Sequence, residues 1–281
     1  MPAPLRPGCT GGCFALTIRR VKRISSRDNA LFKTLAGVAG SARERRKSGL
    51  TLLDGPHLVE AFLDTGGMPR AVAVSESGSR RAEVQSVLAR VAQPVLLPDA
   101  LFGQISGVTT PVGIAALIEI PRPARDAATD CCMLLEDVQD PGNFGSILRS
   151  SAAAGVDCVF ASPGCAHAWA PRVLRAAMGA HFLLTIHEHA ILPEVVDRLP
   201  GRVVATRASG GRPLFQVKLT GPIALLIGNE GSGLSAPLLA AADEVVSIPM
   251  PGGAESLNVA AAAAICLFER VRQEQTMRDE G

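Results

Sequence analysis

Three polar, glycine-rich segments in the second half of the chain hold residue types that could bind a small ligand and act on it. Residues 137–149 contain Asn143, Gly145 and Arg149; residues 226–234 contain Gly228, Asn229 and Glu230; residues 248–258 contain Ile248, Met250, Ser256, Leu257 and Asn258. Glycines let a ligand come close to the backbone. Ile248, Met250 and Leu257 could floor a pocket for a flat apolar ring. A guanidinium such as Arg149 could hold a phosphate and stabilise charge growing on an oxygen. Singly, each segment also has an ordinary reading. Residues 228–233 could be a plain turn, Ser256–Asn258 a helix cap, and Arg149 a surface charge. The glycine spacing of 228–233 is not that of a dinucleotide-binding loop.

The elements that would position these segments follow from apolar patterning. Strands are expected at 133–137, 156–161, 182–186, 203–206, 223–227 and 244–248, and helices at 144–154, 171–178, 192–199, 237–241 and 258–275. Continuous apolar strands separated by helices indicate an α/β fold with a parallel sheet covered on both faces. Ligands then sit outside the carboxyl ends of the strands, where the three segments fall. Asn143 and Arg149 are six residues apart, about 600° of helical rotation, so they meet only if Asn143 lies in the loop before the helix.

Ahead of this unit, a smaller α/β domain is expected over 24–120. Its helices are 29–39, one opened by Gly55-Pro56, and 82–91; its strands are 50–54, 71–74, 94–97 and 112–120. The basic stretch 41–48 either ends the first helix or forms a loop. Residues 1–23 read as a disordered extension, 121–130 as a linker by composition, and 131–276 as the second domain.

The net charge of +2 hides an uneven distribution. Residues 19–47 carry ten Lys/Arg against Asp28 and Glu44, a net +8, which suits a polyanionic partner. Arg43, Arg45, Arg46 and Lys47 are the densest part of that stretch and the candidate nucleic-acid contacts. With nine Phe, one Trp and no Tyr, base stacking has few residues to use, so recognition by shape and phosphate position is expected. The seven cysteines are scattered; Cys9 and Cys13 have no second pair at metal-ligand spacing, so no metal is expected. No apolar run is long enough for a bilayer, and the start, with Arg6 as its early base and prolines at 2, 4 and 7, lacks a signal-peptide pattern. A cytoplasmic protein is expected.

In this order, the three segments resemble the three motifs of the SpoU (TrmH-type) branch of the SPOUT methyltransferases, over about 133–272. Residues 45–120 resemble, more weakly, the L30e-like substrate-binding domain found in front of ribosomal-RNA members. The resemblance implies S-adenosylmethionine as cofactor, RNA (ribosomal RNA favoured) as substrate, and methylation of a ribose 2′-hydroxyl. It also implies a deep trefoil knot and a homodimer whose active site draws on both subunits. Matched motif by motif, it makes Arg149 the activating group, Asn143 its holder, and Glu230, Ser256 and Asn258 orienting residues. Gly228, Asn229, Ile248, Met250 and Leu257 would hold the donor, with Thr206 at the border of its pocket. Ala176 and Ala177 stand where many relatives carry a serine. The alternatives are a non-catalytic RNA-binding assembly factor, a transfer-RNA methyltransferase of the same family, and a nucleotide-binding enzyme of another class. Donor binding and transfer separate them.

Overall fold

The computed structural model describes residues 21–123 and 130–280. The expected extension up to residue 20, with Cys9 and Cys13, lies outside the described residues, as do residues 124–129 of the expected linker.

The first domain opens with β1 (Lys22–Arg23), which pairs in parallel with β4 (Val95–Leu97). The expected extension therefore ends before residue 22, because these two residues complete a sheet edge. In α1 (Ala30–Gly40), the Asn29 side chain accepts from the amides of Leu31 and Phe32, and Phe32, Leu35 and Val38 are buried. The basic stretch is neither a continuation nor a loop but a separate helix, α2 (Ala42–Ser48). Ser41 is extended and its hydroxyl caps the Glu44 amide, which stops α1 and starts α2. Gly49, at φ +65°, ends α2 in the left-handed region. Then follow β2 (Leu50–Asp54), α3 (Pro56–Asp64), β3 (Ala71–Ser75), α4 (Ala82–Leu88), β4, α5 (Asp99–Ile105) and β5 (Ile114–Glu119). Helix α5 was not expected; its buried Leu101, Phe102 and Ile105 share one face at helical spacing. The five strands form a mixed sheet ordered β1-β4-β3-β5-β2.

The second domain runs β6 (Cys131–Leu135), α6 (Pro141–Ala153), β7 (Cys158–Ala161), α7 (Pro171–Ala177), β8 (Thr185–His187), α8 (Leu192–Val196), β9 (Arg202–Thr206), β10 (Arg212–Pro213), β11 (Ile223–Ile227), α9 (Ala236–Ala241), β12 (Glu244–Ser247) and α10 (Val259–Glu280). Its seven strands are all parallel and ordered β10-β12-β9-β11-β6-β7-β8. Every side chain of β6 and β11 is buried, as expected for the middle of a sheet covered on both faces. Of the expected strand 182–186, Phe182 ends a short helical turn over 180–182, and β8 begins only at Thr185.

Register decides where the loops go. Leu135 pairs with Ile227, Ala205 with Leu226, and Val246 with Thr206. The ends of β6, β11, β9 and β12 therefore lie level, and the segments that follow them leave from one edge.

The two domains are not beads on a string. One face of the small sheet (Leu52, Ala73, Leu97, Ala115, Leu117) packs on α1 and α5. The alternate residues (Leu53, Val72, Val74, Ile114, Ala116, Ile118) belong to one continuous apolar cluster with Met133, Leu135, Phe144 and Leu174 of the second domain. A polar seam reinforces it: the Thr51 hydroxyl donates to the Trp169 carbonyl at 2.7 Å.

Candidate active site

The second and third segments line a cleft of about 460 Å³ on the carboxyl edge of the large sheet; the first contributes no lining residue and joins them through hydrogen bonds. All six expected donor contacts line it: Thr206, Gly228, Asn229, Ile248, Met250 and Leu257, together with Glu230 and Ser256. Ile227, Leu234, Val246 and Val259 extend its apolar wall. The volume and the mixture of apolar wall with a few polar groups suit a drug-sized ligand.

Loop 228–233 is shaped by its own bonds. Asn229 and Gly233 exchange two backbone hydrogen bonds, at 3.1 and 3.0 Å, and Gly233 sits at φ +70°. The Asn229 amide donates to the Asp137 carbonyl at 2.7 Å, while its oxygen accepts from the Gly231 and Ser232 amides. Its side chain is therefore spent on holding the loop to the first segment and its backbone N–H on Gly233, which leaves a ligand the second lone pair of the Asn229 carbonyl oxygen. Thr206 likewise donates its hydroxyl to the Leu226 carbonyl.

A chain of polar side chains ties the segments together at the mouth. The Asn143 amide donates to Glu230 at 2.9 Å, and the Asn258 amide donates to the Asn143 oxygen at 2.9 Å. The Asn258 oxygen accepts from the Ala260 amide and starts α10. Asn258 thus serves both readings, cap and site, through opposite ends of one amide.

Two expectations about Asn143 need correction. It is not in a loop: α6 begins at Pro141, capped by Asp140, whose carboxylate accepts from the Asn143 amide nitrogen at 2.8 Å. Nor does it hold Arg149, since its side chain is committed to Glu230 and Asn258. With both residues inside the helix, the rotation between them sends Arg149 elsewhere. Arg149 is exposed, does not line the cleft, and its side chain forms no hydrogen bond or ion pair among the described residues.

Arg207 and Glu255 line the cleft and were not singled out from the sequence. Arg207 directly follows the last residue of β9, so the strand-end rule could have found it. Cys266 also lines the cleft, but burial pushes its thiol up to about 12, so it stays protonated and unreactive. Cys131, Cys158, Cys165 and Cys266 are free thiols, and no cluster of metal ligands occurs among the described residues.

On α2, Arg45 departs from expectation. It is 5% exposed, and its guanidinium donates to the Val38 carbonyl at 2.7 Å, closing the end of α1. It is a structural residue rather than an RNA contact. Arg43, Arg46 and Lys47 are exposed, and their side chains form no hydrogen bond or ion pair among the described residues. Alanine at any one of these three should lower the salt slope of RNA binding by about 0.7–0.9. Arg45→Ala should instead lower Tm with the slope unchanged. Salt titrations of RNA affinity together with thermal melts check this, and an unchanged slope in an Arg43/Arg46/Lys47 triple variant would remove α2 from the interface.

Comparison with known proteins adds a family. Residues 130–268 match the SpoU rRNA Methylase family, and residues 29–116 match an MRM3-like substrate binding domain. A 23S rRNA guanosine-2′-O-methyltransferase, RlmP of Bacillus subtilis, is 35% identical over 80% of this chain and 90% of its own. A 23S rRNA uridine-2′-O-methyltransferase of Streptomyces viridochromogenes is 30% identical over 90% of this chain and 92% of its own. The crystal structure of the SpoU methyltransferase AviRb from the same organism, in complex with S-adenosylmethionine, is 28% identical; it aligns with a TM-score of 0.80 over 88% of this chain and 99% of that one.

Proposed function

Because the chain belongs to the SpoU rRNA Methylase family, we propose that it methylates a ribose 2′-hydroxyl of ribosomal RNA with S-adenosylmethionine held in the cleft of Gly228 and Leu257. The observation that carries this reading is one cleft lined by two segments that follow strand ends, with the third tied to them by the Glu230–Asn143–Asn258 hydrogen bonds.

When bound, the donor supplies a methyl group on a cationic sulfur. The residues fit such a molecule. Ile248, Met250 and Leu257 give an adenine ring an apolar bed, and Gly228 and Asn229 bring main-chain groups to its edge. The cation loses its charge during transfer, so a strongly anionic pocket would favour the starting state over the transition state. The two carboxylates on the lining, Glu230 and Glu255, are exposed to water, and Glu230 is also bound to Asn143. Holding the 2′-oxygen in line with the methyl supplies much of the acceleration. Asn143, Glu230, Ser256 and Asn258 keep the mouth in shape for that alignment.

Within one chain Arg149 stands apart from the cleft, so we propose a homodimer in which the partner subunit's Arg149 completes the site. There the guanidinium binds the adjoining phosphate and stabilises the alkoxide forming at the 2′-oxygen. It does not itself take the proton, because a guanidinium stays charged; a phosphate oxygen or water receives it. The C-terminal segment is proposed to thread a deep trefoil knot. In support, β11 lies between β9 and β6, and the loop after it shares the cleft walls with residues 248–258. No helix among the described residues is long and apolar enough to cross a membrane. We propose a cytoplasmic site of action, in keeping with relatives named for ribosomal RNA.

The test is methyl transfer from labelled S-adenosylmethionine to total RNA from cells lacking this protein, followed by nucleoside analysis. A 2′-O-methylated nucleoside from ribosomal RNA is the expected product. Label in transfer RNA alone would reassign the substrate, and tight RNA binding without transfer would leave a non-catalytic assembly factor.

A further inference from the structure

An ion pair that the reaction does not use, its Asp54 end buried, lies across the domain boundary. Asp54, the last residue of β2, has a side chain only 4% exposed. Its Oδ2 accepts from the Ser106 hydroxyl at 2.7 Å and from the Gly107 amide at 3.1 Å. Arg175, on α7 of the other domain, reaches across to it. Its Nη2 donates to the Gly107 carbonyl at 3.2 Å, and its Nη1 lies 3.9 Å from Asp54 Oδ2. Nearby, His57 Nε2 lies 3.3 Å from the Met178 carbonyl oxygen at the end of α7.

What this pair connects gives it meaning. On one side, β2 continues directly from α2, which carries the exposed Arg43, Arg46 and Lys47. On the other side, α7 packs on α6 without a gap. A Cβ on Gly145 would sit 2.5 Å from the Ala176 Cβ and 2.7 Å from the Val173 carbonyl oxygen. Helix α6 carries Asn143 in its first turn. Rigid elements therefore run unbroken from the basic helix, through Asp54 and Arg175, to the mouth of the cleft.

We propose that Asp54 and Arg175 form a latch that positions the RNA-gripping domain relative to the methyl-transfer cleft, so that RNA held by α2 presents its 2′-hydroxyl in line. The inference rests on the RNA methyltransferase reading. Asp54 and Arg175 are positioning residues and touch neither donor nor RNA. The continuous apolar cluster keeps the domains attached without the latch. Its loss therefore allows a small tilt rather than separation, and a tilt harms alignment more than binding. A misplacement of about 1 Å is enough to cost about 10²-fold in rate.

Two variants of the full chain test this. Arg175→Lys keeps the charge but cannot fork between Asp54 and Gly107. Gly107→Ala is milder: its Cβ would meet Arg175 Nη1 at 2.7 Å, the far end of a flexible side chain, so the protein folds and only the guanidinium must move. Single-turnover transfer to ribosomal RNA should fall about tenfold in Arg175→Lys and about threefold in Gly107→Ala. The Kd values for S-adenosylmethionine and for RNA should stay within about twofold of the unaltered protein. Unaltered turnover in both variants would overturn the latch. So would a loss of donor affinity matching the loss of rate, since that marks general damage to the fold. Failure of the function reading shows differently, as no transfer by the unaltered protein, and overturns the latch with it.

Discussion

Arg149→Ala is expected to slow methyl transfer by about 10²–10³-fold, the usual effect of losing one donor aimed at a developing oxyanion. Donor affinity should not change, because Arg149 does not line the cleft of its own chain. Folding should not change either: the Arg149 side chain is exposed and makes no hydrogen bond or ion pair among the described residues. Arg149→Lys should recover only part of the rate, since an ammonium cannot offer the planar pair of N–H groups that a phosphate and its neighbouring oxygen would share. Full turnover by the lysine variant would show that charge alone suffices and that the fork has no role. An alanine variant with normal turnover would remove Arg149 from the reaction.

Gly228→Ala should abolish donor binding, raising Kd by about 100-fold or more, close to 3 kcal/mol. A Cβ there would lie 2.3 Å from the Gly233 carbonyl carbon, 2.5 Å from its oxygen and 2.5 Å from the Leu234 nitrogen. All three are main-chain atoms and cannot rotate away. The loop would have to open, breaking the paired Asn229–Gly233 hydrogen bonds that shape the cleft wall. Gly231→Ala is the control: its Cβ would meet only Asn229 Oδ1, at 3.4 Å, and binding should be near normal. Calorimetric titration with the donor measures both, and unchanged affinity in Gly228→Ala would place the donor elsewhere. The two inactive variants also test the shared site. Mixed Arg149→Ala and Gly228→Ala chains should regain about a quarter of normal turnover, because half the dimers are mixed and each of those holds one intact site. No recovery would mean that Arg149 acts within its own chain.

The lining of the cleft is the part most legible in the sequence. Strand ends in a parallel sheet mark where ligands bind, and the motif resemblance named Thr206, Gly228, Asn229, Ile248, Met250 and Leu257, all of which line the cleft. What misled was the start of α6. Apolar periodicity begins at Phe144, but capping by Asp140 and the proline at the first helical position pull the helix back to Pro141. That shift of three residues turns Asn143 from a loop partner of Arg149 into a bridge between Glu230 and Asn258. Arg45 shows a second limit. Its neighbours are exposed cations, and nothing local marks it as the one whose side chain folds back onto Val38. A linker composition does not say whether the domains it joins touch; the continuous apolar runs of β2, β3 and β5 give the small sheet two apolar faces, and the second must be covered.

The strand order has a consequence for how the chain is made. β6 is fully buried and lies between β7, which follows it closely, and β11, which is synthesised about ninety residues later. At about 5–20 residues per second, the ribosome leaves that apolar edge without its partner for about 5–20 s. During that interval β6 presents unpaired backbone groups along Cys131–Leu135, where a neighbouring nascent chain could add a strand of its own. Only when β11 emerges and slots in between β6 and β9 does the edge disappear. The protein is therefore most prone to aggregate while still attached to the ribosome, and slower translation upstream of Ile223 would lengthen the exposure.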